Sequence, residues 1–264
     1  GNSYWLFCAD NGSTPTIIGN QFSGRVEKAI RIGTMFQMSN NSFSGAKEMS
    51  IDVIGGDLNV SRIWRKQNGI ARYRILSTLV VHGAGSSLTL EPGLTLLFAS
   101  GTGLQIAGDW SDPGILNAEG TVSEPIIFTS VSGAAGGWKG ILFDHHSDTG
   151  VSSAMKYCVI ENAGQPNGYG TIAAVYCRYT TMPSLSFCSI RNNGGAGIYL
   201  TNSSINISNS KVVNNGDKGL ICMDASQPII GNSPGTTNDL YNNVVYDLYV
   251  AGSQNLDACY NYWG

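Results

Sequence analysis

"SFCSIRNNGGAGIYL" at residues 186–200 and "SNSKVVNNGDKGLI" at residues 208–221 carry one pattern twice: a β-branched residue, one spacer, Asn-Asn-Gly, then a glycine and a short apolar run. Positions 192 and 214, 194 and 216, 197 and 219, and 198 and 220 are each 22 apart. A constant offset over several positions marks a structural repeat. Upstream, "KYCVIENAG" (156–164) matches "SFCSIRNNG" (186–194) at an offset of 30, one repeat with eight extra residues, and "GQPNGYG" (164–170) is the natural insertion. Near the N-terminus "GNQFSG" (19–24) returns as "NNSFSG" (40–45) at an offset of 21, which carries "AIRI" (29–32) onto "SIDV" (50–53).

The apolar runs within the repeats are short, β-branched or aromatic, and bounded by Gly and Asn, as in "LTLEPGLTLLFAS", "PIIFTS", "GIYLT" and "INIS". Length, alternation and flanking turns make them strands. No continuous helical stripe is present. Two or three short strands per repeat of about 22 residues predict an all-β fold, a parallel β-helix whose coils stack at about 4.8 Å. Each strand then pairs with its equivalent one repeat later, so the offset is the register. Within it, Asn-Asn-Gly is expected to be a corner. An inward Asn would bond the Asn of the next coil, Gly194 and Gly216 would supply left-handed backbone, and Ile190 and Val212 would fill the core.

The chain has 264 residues, enough for one continuous solenoid core, and its 34 glycines and 12% charged residues suit many tight corners. A net charge of −3 gives no basic footprint, so nucleic acid is not an expected partner. No apolar run reaches 18 residues, and no membrane span is expected. The opening residues "GNSYWLFCADNG" carry no signal-peptide pattern. The chain is read as a fragment or mature portion of a longer protein with flanking domains. Cys158 and Cys188 fall at equivalent repeat positions and Cys222 aligns with the core site Leu200, so buried thiols are favoured over a disulfide framework. Cys/His pairs at zinc spacing are absent, and no metal site is expected.

One β-helix is therefore expected over 1–264. Its first coils span 1–62, an interrupting loop or cap spans 63–78, where most of the basic "SRIWRKQNGIARYRI" (61–75) falls, and the main array spans 79–264. Tyr260, Tyr262 and Trp263 are expected to cover the last coil.

The strings "LVVHGAGSSLTLEPGLTLLFASGTGLQIAG" (79–108), "GILNAEGTVSEPIIFTS" (114–130), "GGWKGILF" (136–143), "MKYCVIENAG" (155–164) and the closing "NYWG" resemble the right-handed parallel β-helix repeats of the pectin-lyase-like superfamily, in its bacterial and archaeal surface or secreted forms. The resemblance implies a right-handed coil of three sheets, a secreted or cell-surface setting and polysaccharide as the material handled. Members of that superfamily include lyases, hydrolases and epimerases as well as wall-binding proteins, stalks and adhesins, so the site must decide.

Hydrolysis of a glycoside needs paired carboxylates, and a lyase of this fold needs a Lys or Arg base with Ca²⁺ or another charge neutraliser. The Asp-Asp and Gly-His-Gly strings of polygalacturonases and the Asp-Pro-His-Glu string of mannuronan epimerases are absent. The remaining catalytic candidates are Asp144, His145, His146 and Asp148 in "FDHHSDTG", with Arg178 and Arg191 on a lateral face. Successive strand residues face opposite ways, so His145 and His146 could share a metal only across a turn. Trp110 after a glycine-rich turn, and Tyr169, Tyr176 and Tyr179 around the insertion, are candidates for stacking on sugar rings. Trp138 reads as a core or corner residue. The expected function is a non-catalytic scaffold or adhesin binding extracellular polysaccharide or cell-wall glycan without a cofactor. The alternative is a polysaccharide lyase, with Ca²⁺, or a glycoside hydrolase.

Overall fold

In the computed structural model, which describes residues 5–10, 12–106, 112–144, 152–252 and 255–264, the repeat offsets become hydrogen-bond registers. Ile190 pairs with Val212 and Ile198 with Leu220 across the 22-residue step. Ile160 pairs with Ile190 across the longer step, and Phe22 with Phe43 and Ile30 with Ile51 in the N-terminal repeat. Among the described residues the strands form three long sheets, a first of eleven strands, a second of eight and a third of seven, with two further two-stranded sheets in the first coils. Neighbours in each sheet come from successive coils and run parallel, so the backbone of one turn satisfies the next.

One coil shows the logic. Ser184–Ser186 lies in the third sheet, Ser189–Arg191 in the first and Ala196–Thr201 in the second, and Asn206–Ser208 then re-enters the third. Alternation turns Ile190, Ile198 and Leu200 inward, where they are fully buried with Val212, Leu220 and Cys222 stacked on them. Burying each such side chain stabilises by about 1.5–3 kcal/mol. Trp138 is a core residue: its ring stacks on Phe98 at 4.2 Å, and Nε1–H donates to Glu161 O at 2.9 Å. All six cysteines are free thiols, and Cys158, Cys177, Cys188 and Cys222 are buried.

The Asn-Asn-Gly corner divides its labour differently from the sequence expectation. The left-handed residue is the first Asn, with φ of 55° at Asn192 and 57° at Asn214, and neither Gly194 nor Gly216 has a positive φ. Asn tolerates that conformation because its short polar side chain bonds locally. The glycines serve close approach instead, since a Cβ on Gly216 would lie 2.7 Å from Gly194 O. The second Asn points inward. Asn193 Nδ2 donates to Asn215 Oδ1, and Asn215 Nδ2 to Asn243 Oδ1, both at 2.9 Å. The other corners carry their own polar columns: Ser203 N–H donates to Ser226 Oγ, and Asn238 Nδ2 to Asn261 Oδ1.

The 63–78 segment differs from the expected interrupting loop or cap. Arg62–Trp64 joins the third sheet and Arg72–Ile75 the first, with Tyr73 between Ile51 and Leu96. Trp64, Tyr73 and Ile75 are fully buried, the Trp64 and Tyr73 rings stack at 4.9 Å, and the arginines point outward. The basic charge disguised a strand with ordinary alternation. Between those strands Asn68 bridges Ser42 of the preceding coil in parallel, Ile70 is buried in the core, and Gln67 Oε1 accepts from Asn41 Nδ2 at 3.0 Å, extending an amide column that begins at Asn20. Tyr260, Tyr262 and Trp263 stay largely exposed rather than covering the last coil.

Candidate functional site

Alternation on the second sheet sends every other residue outward, and the register stacks those residues in columns. One column runs Leu142, Tyr176, Tyr199, Ile221, Tyr249. Its neighbour runs Asp144, Arg178, Thr201, Met223. Asp144 ends the strand Ile141–Asp144 and Arg178 the strand Ala173–Arg178, so adjacent coils set carboxylate and guanidinium side by side.

The insertion at 164–170 folds over this face. Its base is pinned by Gln165, whose Oε1 accepts from Gly101 N at 2.6 Å and whose Nε2 donates to Ser100 Oγ at 2.9 Å. Its tip is an Asn turn in which Asn167 Oδ1 accepts from the N–H groups of Tyr169 and Thr171, a local bond that Asn supplies readily. The Tyr169 hydroxyl then donates to Asp144 Oδ2 at 2.5 Å.

Asp144 is fully buried and also accepts from Arg178 Nη1 at 3.1 Å. The guanidinium lies 4.4 Å from the centroid of the Tyr169 ring and 5.0 Å from that of Tyr179, a cation held between two aromatic rings. Tyr176 stands edge-on to Tyr169 at 6.3 Å and to Tyr199 at 5.4 Å. Tyr169 keeps 49% of its surface exposed and Tyr179 36%, whereas Tyr176 keeps 5%. Tyr176 is thus the support of the platform rather than part of its exposed surface. Farther along the column Lys218 Nζ lies over the Tyr249 ring at 5.5 Å and pairs with Asp217 at 2.9 Å.

The electrostatics hold both partners in their ordinary forms. Partial burial, then the hydrogen bond to Asp144 and its charge, raise Tyr169 above the usual tyrosine value, so the phenol keeps its proton. Burial alone would lower Arg178, but the adjacent Asp144 carboxylate outweighs it and the guanidinium is raised. Each group is committed to its neighbour.

The structure brings together Asp144, Arg178, Tyr169, Tyr176 and Tyr179 from the sequence candidates. Trp110, His145, His146 and Asp148 lie outside the described residues. Arg191 sits elsewhere: its strand is in the first sheet, where Nε pairs with Glu161 Oε2 at 3.2 Å, so the Arg178/Arg191 face anticipated from sequence does not exist as one surface. Between the two residues the backbone turns two corners and crosses the third sheet at Ser184–Ser186, which linear proximity conceals. Sequence reasoning passed over Tyr199 and Tyr249, although following Tyr176 along the repeat register leads to both. Among the described residues, no group of three or more His, Cys, Asp or Glu side chains is arranged to hold a metal ion. Among those residues no helix is long and apolar enough to cross a membrane.

A family model for the right-handed beta helix region matches residues 118–262, more than half of the chain and the whole of the stretch that carries this site from Asp144 to Tyr249. The chain belongs to that family, an all-β right-handed parallel β-helix repeat protein. No curated protein and no solved structure matches it.

Proposed function

We propose that this β-helix is a non-catalytic scaffold of a secreted or cell-surface protein, and that it binds extracellular polysaccharide on the outer face of its second sheet. The observation that carries the reading is the exposed Tyr169 ring, fixed on its edge by the Asp144 carboxylate and backed by the Arg178 guanidinium. A rigid, half-exposed ring offers a flat apolar surface to a sugar at little entropic cost, and its polar tip is already satisfied. The Tyr199–Ile221–Tyr249 column continues the apolar track along the solenoid axis. Its coil spacing of about 4.8 Å is close to the length of one sugar unit in an extended polymer.

The same geometry supports binding over turnover. A general base must be free to take a proton and a general acid free to give one. Asp144 is engaged through both oxygens, Arg178 is ion-paired, and Tyr169 is held protonated.

The test is retention on insoluble glycans, neutral and acidic, with the supernatant assayed for unsaturated products and new reducing ends. Retention without turnover is expected, falling about tenfold or more in Tyr169→Ala, while Tyr169→Phe, which loses the same hydrogen bond to Asp144 but keeps the ring, retains the glycan. Turnover that disappears in Asp144→Asn would convert the scaffold into an enzyme. Failure to retain any glycan would leave a spacer.

A further inference from the structure

The corner between the third and first sheets carries a second aromatic feature, away from the Tyr169 face. Gly120, Tyr157, Phe187 and Asn209 occupy this corner in successive coils. Tyr157, Phe187 and Asn209 all have left-handed backbone, with φ of 48°, 54° and 51°. Asn accepts that conformation readily, but a bulky ring does not. Two consecutive coils therefore hold an aromatic residue where the fold's own choice, at Asn209, is Asn. Strain of this kind persists where the surroundings enforce it, and it gathers at binding sites.

The rings do not recover the strain by burial. Tyr157 and Phe187 stack on each other at 4.9 Å and 22°, yet Phe187 remains 43% exposed. They form one wall of a groove of about 300 Å³ whose lip is Val122, itself 81% exposed, with Pro125 beside it. Thr121 and Asn209 are also in the lining; Thr121 Oγ1 accepts from Glu124 N–H at 2.9 Å, whereas the Asn209 side-chain amide has no hydrogen-bond partner among the described residues. Among the described residues no carboxylate lines the groove, and the cation that does, Lys211, pairs with Asp239 at 2.7 Å. Lys156 lies over the Tyr157 ring and outside the lining.

We infer that this corner is a second glycan site, taking an uncharged pyranose ring of a neutral polysaccharide on the exposed face of Phe187, with sugar hydroxyls met by Asn209 and Thr121. The ligand class follows from the chemistry. An apolar platform matches the C–H face of a sugar, the unpaired Asn209 amide matches a hydroxyl, and the cation in the lining, Lys211, is already paired with Asp239, so an anionic sugar gains little there over a neutral one. The inference rests on the polysaccharide reading above and adds a separate face, which would make the β-helix bivalent.

The experiment is isothermal titration with cellohexaose, mannohexaose and hexagalacturonate, on the parent, on Phe187→Asn and on Tyr169→Ala, with thermal melts of each. Phe187→Asn installs the residue that the next coil already uses at this corner, so the fold is retained. Val122→Asp on the exposed lip gives a second route to the same answer. The expected result is two sites for at least one neutral hexasaccharide in the parent. One is lost, or weakened at least about tenfold, in Phe187→Asn and Val122→Asp, and the other in Tyr169→Ala. A single site abolished by Tyr169→Ala and untouched by Phe187→Asn would overturn this second site and leave the first standing. Lowered stability of Phe187→Asn with both sites intact would make the ring stack purely structural. Filling of the corner by hexagalacturonate alone would refute the uncharged ligand. A parent that binds none of the three probes would overturn both readings.

Discussion

Asp144 and Arg178 face each other in register across adjacent strands of the second sheet, with Arg178 Nη1 3.1 Å from Asp144 Oδ1. The carboxylate is fully buried, and the guanidinium side chain is 24% exposed. That inequality makes the two members of the pair unequal under substitution. Arg178→Met strands a charge in the interior and is expected to cost about 3 kcal/mol. Asp144→Asn leaves an acceptor for Tyr169 and a guanidinium that can turn to water, at about 1 kcal/mol. Urea unfolding of both variants checks the order, and an equal or inverted cost would show that the pair is not what holds this face.

The two asparagines of each corner should respond in opposite ways to glycine and to the loss of a side chain. Asn215 is fully buried, accepts from Asn193 and donates to Asn243 and to Ile190 O. Asn215→Ala orphans partners on both sides and is expected to cost about 2–4 kcal/mol, with Asn215→Gly no better. Asn214 provides only the left-handed turn, so Asn214→Ala should cost about 1 kcal/mol and Asn214→Gly almost nothing. Denaturation midpoints of the four variants decide it.

Tyr169 should ionise later than an ordinary tyrosine. Burial, then Asp144, raise it above 10.0. A folded-state value above the unfolded one means that its contribution to stability is whole below pH 10 and is lost as pH climbs through the raised value. Tyrosinate absorbance of the parent minus that of Tyr169→Phe should rise at higher pH than that of an ordinary tyrosine. The parent should also lose stability faster than the variant in that alkaline window. A difference signal already complete at pH 10 would contradict the buried hydrogen bond.

Thiol chemistry offers a map of the core. Burial pushes Cys222 up to about 12 and raises Cys177 and Cys158 as well, while Cys8 and Cys259 are exposed. A maleimide at pH 8 should label Cys8 and Cys259 in the native protein, the latter more slowly because Asp257 raises its thiol. The other four should label only after denaturation: burial keeps Cys158, Cys177 and Cys222 protonated, and Cys188, whose thiol the hydrogen bond with Cys158 lowers, is buried out of the reagent's reach. Mass spectrometry of the labelled peptides gives the answer. Rapid native labelling at Cys158 or Cys188 would mean that the stacked coils there open.

Much of the fold was legible because a solenoid writes its contacts at a fixed distance along the chain. The step from Ile190 to Val212 is a hydrogen-bond register, and Cys158 and Cys188 sit at the same corner of adjacent coils as the alignment implied. Where charge masked alternation the reading failed: Arg72 and Arg74 concealed that Tyr73 and Ile75 point into the core. The candidate site was half legible. Tyr169, Tyr176 and Tyr179 were drawn from their clustering around the insertion, and Tyr199 and Tyr249 were missed although the register leads to them.

The sequence by itself determined which residues lie above one another, because each strand bonds to its equivalent one repeat on and the period therefore names the axial neighbour. Only the tertiary structure decided which residues share a face around the axis. That angle depends on where each corner bends, on a left-handed Asn192 and a Gly216 pressed against Gly194 O, and a period carries no record of it. The insertion has no equivalent in the next coil to pair with. Its path was set by Gln165 at the base and by the Tyr169 hydroxyl on Asp144, contacts that no repeat could announce.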